Sequence, residues 1–208
     1  PGTYADTMLV LAPLIMLTVI LGLTIVLRPR VTRHMGGRAI AFLGMFVLPV
    51  LALAGVANDH MQRSKTTQFC ISCHEMQPYY DSMFVDEGRH LPAVHYQNRT
   101  VPREKACFTC HTHYTMFGDY KAKLNGLKHL WVHYFGTIPD KIELYEPYND
   151  RECLHCHDGA RAFEEQEQHI EAREKLKDGR LRCFSCHFNA HDIENQHRLP
   201  RWNPEDDR

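Results

Sequence analysis

No cysteine in this sequence stands outside one repeated motif, tryptophan occurs only twice, and neither sign of charge is in excess. The formal net charge is −1, from 24 Lys and Arg against 25 Asp and Glu. That balance says little about partners, and no nucleic-acid partner is expected. No glycine-rich phosphate loop and no nucleophile motif appears, which excludes the familiar routes to phosphoryl and acyl transfer. Charge is also missing from two long runs, 8–27 and 39–57.

What is present is four copies of Cys-x-x-Cys-His, at Cys70/Cys73/His74, Cys107/Cys110/His111, Cys153/Cys156/His157 and Cys183/Cys186/His187. Together they use all eight cysteines. Two thiols at this spacing can each add to one vinyl group of a single haem, and the adjacent His then reaches the iron as an axial ligand. A single such pentapeptide is weak, because paired Cys-x-x-Cys sites also build zinc ribbons and redox dithiols. Four copies, each with His after the second Cys, fit poorly with tetrahedral zinc. Four covalently bound haem c groups are expected. So many porphyrins in so short a polar segment must themselves form much of the apolar core, leaving regular secondary structure sparse.

The run 8–27 is long enough to cross a hydrocarbon layer of about 30 Å as a helix, and 39–57 is nearly as long. Arg28, Arg30, Arg33 and Arg38 lie between them with no acid, whereas Pro1 to Thr7 carries Asp6 and no Lys or Arg. The positive-inside rule puts the connecting loop in the cytoplasm and both outer ends on the far side. Ala52, Ala54 and Ala57 resemble a signal-cleavage site, but retention of both runs is the expectation. Gly22, Gly44, Pro13 and Pro49 are read as helix packing or kinks. The expected organisation is a membrane anchor over 1–57 and a tetrahaem domain over 58–208, with 58–69 a polar membrane-exit linker.

Within the second part, Met116, Tyr120, Leu124, Leu127 and Trp131 recur at roughly helical spacing, predicting a helix over 114–134. Residues 163–177 are charged, Glu-rich and free of breakers, predicting a solvated helix ended by Asp178-Gly179. Pro78, Pro92, Pro102, Pro139 and Pro147 interrupt the rest. His129 and His133 share a helical face and are read as packing around Trp131. His34, His60, His90, His155 and His197 are read as surface or packing residues.

Three strings carry a family resemblance: Phe69-Cys70-Ile71-Ser72-Cys73-His74-Glu75-Met76, His95-Tyr96-Gln97-Asn98-Arg99, and Phe135-Gly136-Thr137-Ile138. The chain resembles the NapC/NirT/NrfH family of membrane-anchored tetrahaem cytochromes from about the second apolar run to about His191. The resemblance implies oxidation of membrane quinol and delivery of electrons to a periplasmic reductase or carrier. In that family Met two residues after the motif His can replace it, so Met76 and His74 are rivals for the first iron. Thioether ligation raises haem potential relative to two imidazoles. His95, His169 and His191 match distal ligands. His113 is a fourth candidate, although it follows its motif His by two residues where the family has three. Asp119, Lys121 and Lys123 stand where the family has an acidic and basic cluster near the first haem. The implied role is to orient quinol and accept its proton, while lysines snorkelling to lipid headgroups are the competing reading. Asn125 and Gly126 could line the same pocket.

One departure is the extra N-terminal segment, 1–38, which the family pattern lacks. It either strengthens anchoring or docks other membrane subunits. The expected fold is mainly α with much irregular structure: two N-terminal transmembrane helices and a small cytochrome c domain organised around haems. The expected location is the bacterial inner membrane, with the haem domain on the periplasmic side, in contact with lipid and quinol. The rival reading is an electron-relay subunit of a larger membrane complex with no quinol site of its own.

Overall fold

The first apolar run coils into α1, Tyr4–Leu27, where the backbone satisfies its own polar groups in a segment with little else to bond to. Thr18 and Thr24 return their hydroxyls to the carbonyls of Leu14 and Ile20, at 2.9 and 2.7 Å. Pro29 opens a 3₁₀ turn, Pro29–Arg33, that carries Arg30 and Arg33. The chain then enters α2, Met35–Ser64, which is long and apolar enough to cross a membrane. Leu11–Leu27 within α1 is a shorter apolar helix. This computed structural model describes residues 4–139, 141–142, 144–188 and 190–205. It divides into two units, Pro1–Lys65 and Thr66–Arg208.

Pro49 explains a local irregularity in α2. Proline lacks an N–H and its ring crowds the preceding turn, and the helix widens to a π turn over Leu43–Val47 just before it, with Leu48 N–H bonded to the Leu43 carbonyl. Gly44 lets α1 approach there, since a Cβ at that position would sit 2.8 Å from Leu21 Cδ1. Gly55 lies opposite Leu11 in the same way, so the two helices run antiparallel. Asn58 to Ser64 contains no breaker and Asp59 pairs with Arg63 one turn on. The helix therefore continues past Ala57, and the expected linker is mostly helical.

The second unit is built from short helices joined by irregular chain. Thr66 caps α3, Thr67–Cys70, by accepting the Phe69 N–H at 3.2 Å. Pro78 and Pro92 occupy the first turns of α4, Gln77–Asp81, and α5, Leu91–Gln97, where a missing N–H costs nothing. There follow α6, Ala106–Cys110, and α7, Gly118–Phe135. Asn149 caps α8, Asp150–His157. The last two are α9, Arg161–Glu164, and α10, Glu167–Lys177. Among the described residues there is no strand, only an antiparallel bridge between Val85 and Arg201.

Both predicted helices form with altered limits. Gly118 starts α7 four residues late, because the helix begins against the His113 carbonyl so closely that any Cβ would overlap it. The charged segment breaks at Gln166, which is extended, and ends at Asp178, with Gly179 left-handed at φ 73°.

The apolar core of the second unit is small. Met83, Tyr96, Val101 and Ala106 are buried, with Tyr80, Phe84, Cys107 and Trp202 packed against them. Arg103 lies between the Tyr96 and Trp202 rings, at 5.2 and 5.1 Å. Thr67 ties α3 to the turn before α6: its hydroxyl donates to the Arg103 carbonyl at 2.8 Å and accepts the Ala106 N–H at 3.0 Å. Thr67→Val keeps the shape and strands both groups, so unfolding should show a loss of about 1–3 kcal/mol. A thermal melt of the intact protein checks this, and an unchanged Tm would refute the tie.

Candidate haem sites

The four motifs lie side by side in chain order. Cys107 donates to Cys70, joining motifs one and two; this bond lowers Cys70 to about 7 and raises Cys107. Cys153 and Cys183 join motifs three and four in the same way, the bond lowering Cys153 and raising Cys183. Cys110, pushed up to about 11 chiefly by burial, also feels Cys153 and Cys156, so motifs two and three are neighbours. All eight cysteines are free of disulfides. Among the described residues, no group of three or more His, Cys, Asp or Glu is placed to hold a metal ion on protein ligands alone.

What the motifs build is imidazole pairs. His157 faces His95 with ring centroids 5.9 Å apart, His187 faces His169 at 6.0 Å, and His111 faces His191 at 6.1 Å. Two metal–nitrogen bonds of about 2 Å, plus half a ring on each side, add to about 6 Å. Each distal ring is also oriented. His95 Nδ1 lies 2.8 Å from the Leu91 carbonyl and His169 Nδ1 lies 2.9 Å from the Phe163 carbonyl, so both nitrogens carry hydrogen. Ser82 donates to the Tyr79 carbonyl at 2.6 Å and so must accept from His191 Nδ1, at 2.7 Å. All three rings thus keep Nε2 as the lone-pair nitrogen, the arrangement an imidazole ligand needs. Burial, with His111 next to it, holds His191 down to about 3.

Haem fits these surroundings. His111 lies beside His191 and is lowered chiefly by desolvation within the protein. His90, read from sequence as a surface or packing residue, is fully buried with neither ring nitrogen bonded, and it lies close enough to His191 to lower that imidazole. Nothing in the sequence marked His90 as buried.

The first motif is arranged differently. His74 and Met76 share a 3₁₀ turn, and Glu75 accepts from His74 Nε2 at 3.2 Å and from His133 Nδ1 at 3.0 Å. The His74 and His133 centroids are 6.4 Å apart. His113 faces no motif His and instead lies 3.4 Å from the buried Glu152. His133, reached through α7, occupies the place by the first motif. His129 stacks on Tyr145. Neither packs around Trp131, which lies on the other side of α7 against Phe135.

The acid–base cluster separates in space. Asp119 accepts from Thr112 at 3.1 Å. Lys123 lies over Phe69 and Phe108, at 5.6 and 4.7 Å, close enough to Cys70 to lower it. These two are one turn apart on α7 and share a side, whereas Lys121 turns to Glu146 at 3.3 Å. Asn125 is half-buried on α7, and Gly126 has open space around it.

Helical architecture, an apolar helix of membrane-spanning length and repeated haem-attachment peptides with facing imidazoles define a c-type cytochrome with an apolar N-terminal unit. Residues 31–197 match the model of the NapC/NirT cytochrome c family, N-terminal region, and the chain belongs to that family. Cytochrome c-type protein NapC of Escherichia coli K12 is 29% identical over 163 residues, covering 70% of this chain and 75% of the relative. Denitrification system component NirT of Stutzerimonas stutzeri is 26% identical over 202 residues, covering 89% and 92%. Cytochrome c-type protein TorC of Escherichia coli K12 is 26% identical over 166 residues, covering 71% of this chain and 40% of that relative. No solved structure matches the chain significantly. Membership in a cytochrome c family implies covalently bound haem c. Residues 1–30, all of α1 included, lie outside the matched region.

Asp150 links motifs three and four, accepting the Cys183 N–H at 3.0 Å and Arg182 Nε at 2.9 Å. Asp150→Ala should lower stability by about 1–3 kcal/mol with haem content unchanged, read from a thermal melt and a pyridine haemochrome spectrum of one sample. An unaltered melt would show that Asp150 does not hold these motifs together.

Proposed function

We propose that this chain is a membrane-anchored tetrahaem cytochrome that accepts electrons from membrane quinol and relays them to a redox partner in the periplasm. The observation that supports it most is the set of three facing imidazole pairs, each beside a Cys-x-x-Cys-His motif and each with the distal Nδ1 committed elsewhere. Cys70, Cys73, Cys107, Cys110, Cys153, Cys156, Cys183 and Cys186 would hold the four groups by thioether links. His111 and His191, His157 and His95, and His187 and His169 would hold three irons. At the first, His74 and Met76 would compete, and His133 lies beside that motif. When bound, haem supplies reversible one-electron chemistry at its iron.

The adjacency of successive motifs supports a chain of short steps from the first to the fourth. Two transmembrane spans, 8–27 and 39–57, place the arginine turn in the cytoplasm and the haem domain outside it. Asp119 and Lys123 are the acid–base pair for quinol: Lys123 orients a quinol oxygen by its charge, and Asp119 takes the proton. The relatives are named as cytochromes c and, for NirT, as a component of a denitrification system. That supports a respiratory reductase or its carrier as the partner. The stretch outside the matched region favours a second reading, in which α1 docks the chain into a larger complex as a relay without quinol chemistry.

Under the first reading, purified full-length protein carries four haems by intact mass and is reduced anaerobically by a menaquinol or ubiquinol analogue. Reduction by dithionite alone would select the relay reading. Asp119→Asn should slow quinol-driven reduction about a hundredfold without changing reduction by dithionite. A normal quinol rate in that variant would remove Asp119 from the site. Separately, His95→Ala, His169→Ala and His191→Ala should each turn one haem high-spin in the paramagnetic resonance spectrum with all four still attached. A fully low-spin spectrum would refute that ligand.

A further inference from the structure

The helix α7 is amphipathic the wrong way round for a water-soluble domain. Phe117, Tyr120, Leu124, Leu127, Trp131 and Tyr134 are 57 to 71% exposed. At 3.6 residues per turn they fall within an arc of about 100°. The opposite side carries Asp119 and His129, both half-buried, together with His133, and these are bonded to Thr112, Tyr145 and Glu75 of the same unit. A surface helix in water buries its apolar stripe and exposes its polar one; here the polar stripe meets the protein.

We propose that α7 is an in-plane membrane helix whose aromatic and leucine stripe beds into the lipid interface beside the first motif. The stripe is not a haem cover, because the side of α7 that reaches the first motif, through His133 and Glu75, is the other one. Its composition is that of an interfacial helix: Trp and Tyr with Leu and Phe on one face, and lysines along the edges. Lys121 and Lys128 flank it on one side and Lys123 on the other, which suits a bilayer surface bearing anionic headgroups. The chain supplies the proximity. Lys65 alone separates Ser64, the end of the membrane-length helix, from Thr66, and Phe69 three residues later lies under Lys123 of α7. A segment tethered this close to lipid meets it at high effective concentration, so a weak contact suffices. This inference rests on the membrane-anchored reading and adds a second, parallel contact to it.

The test is photolabelling of the full-length haem-loaded protein in vesicles of phosphatidylcholine and phosphatidylglycerol containing a phosphatidylcholine with a diazirine near the carboxyl end of one acyl chain. After irradiation and proteolysis, lipid adducts are expected on the Gly118–Phe135 peptide and on Met35–Ser64, with none on the charged helix Glu167–Lys177. Adducts on Met35–Ser64 without any on α7 overturn the inference and leave the anchor intact. Adducts on neither overturn both. Chemical crosslinks between α7 helices of two copies, in place of lipid adducts, also overturn it and identify a second copy as the occupant. The double variant Leu124→Glu/Leu127→Glu should lower α7 labelling at least tenfold with four haems retained. If that variant does not fold, labelling of the unaltered protein decides the question.

Discussion

Two imidazoles held about 6 Å apart, one of them with its Nδ1 already bonded, are an expensive arrangement for a chain to fix, because each ring must lose its rotamer freedom before any further bond is made. The second unit meets that constraint by giving every distal ring a short local tether. His95 bonds back to the Leu91 carbonyl in the first turn of its own helix. His169 reaches Phe163, which is possible because the helix breaks at Gln166 between them. His191 sits in the left-handed region at φ 54° and is held there by Ser82, a strained conformation that costs about 1 kcal/mol or more and survives only where the surroundings enforce it. The short helices and their breaks thus stand at the positions the tethers require.

The four Cys-x-x-Cys-His peptides are legible in the sequence because thioether chemistry demands one spacing and tolerates little else. The helices were legible in kind. Their limits moved where a single contact decided them, at Gly118 against His113 and at Gln166 before His169. The pairing of the histidines was not legible. His95 lies between the first and second motifs yet faces the third, and His191 follows the fourth motif yet faces the second. Such contacts join residues far apart in the chain, and no local pattern encodes them. Two histidines sharing a face of an amphipathic helix, as His129 and His133 do, are ordinarily packing residues. Only the fold shows that Glu75 draws His133 to the first motif, while His113, nearer in sequence to its own motif, is engaged by Glu152.

Periodicity misled in a second, more instructive way. The stripe on α7 is a sound helix signal, but a periodic apolar stripe says only that a helix has two faces. Which solvent each face meets is a property of the surroundings. In α10 the charged surface meets water and nothing needs explaining. In α7, Trp131 and Phe135 stack on each other outside while His129 and His133 turn in toward Tyr145 and Glu75.

The proposed chemistry follows from those two faces taken together. A quinol is apolar along its tail and polar at its ring, and oxidising it requires the tail to stay in lipid while two protons and two electrons leave the ring. A helix bedded in the interface presents lipid on one side and Asp119, with Lys123 at the edge, on the other, and its polar side is the one that touches the first motif. Transfer from lipid to the haem-binding unit would then cross the width of one helix, about 10 Å, with no need for the quinol to enter water. The apolar stripe and the acid–base pair are therefore parts of one device, and a variant that frees α7 from lipid should raise the quinol concentration needed for reduction more than it slows the step itself.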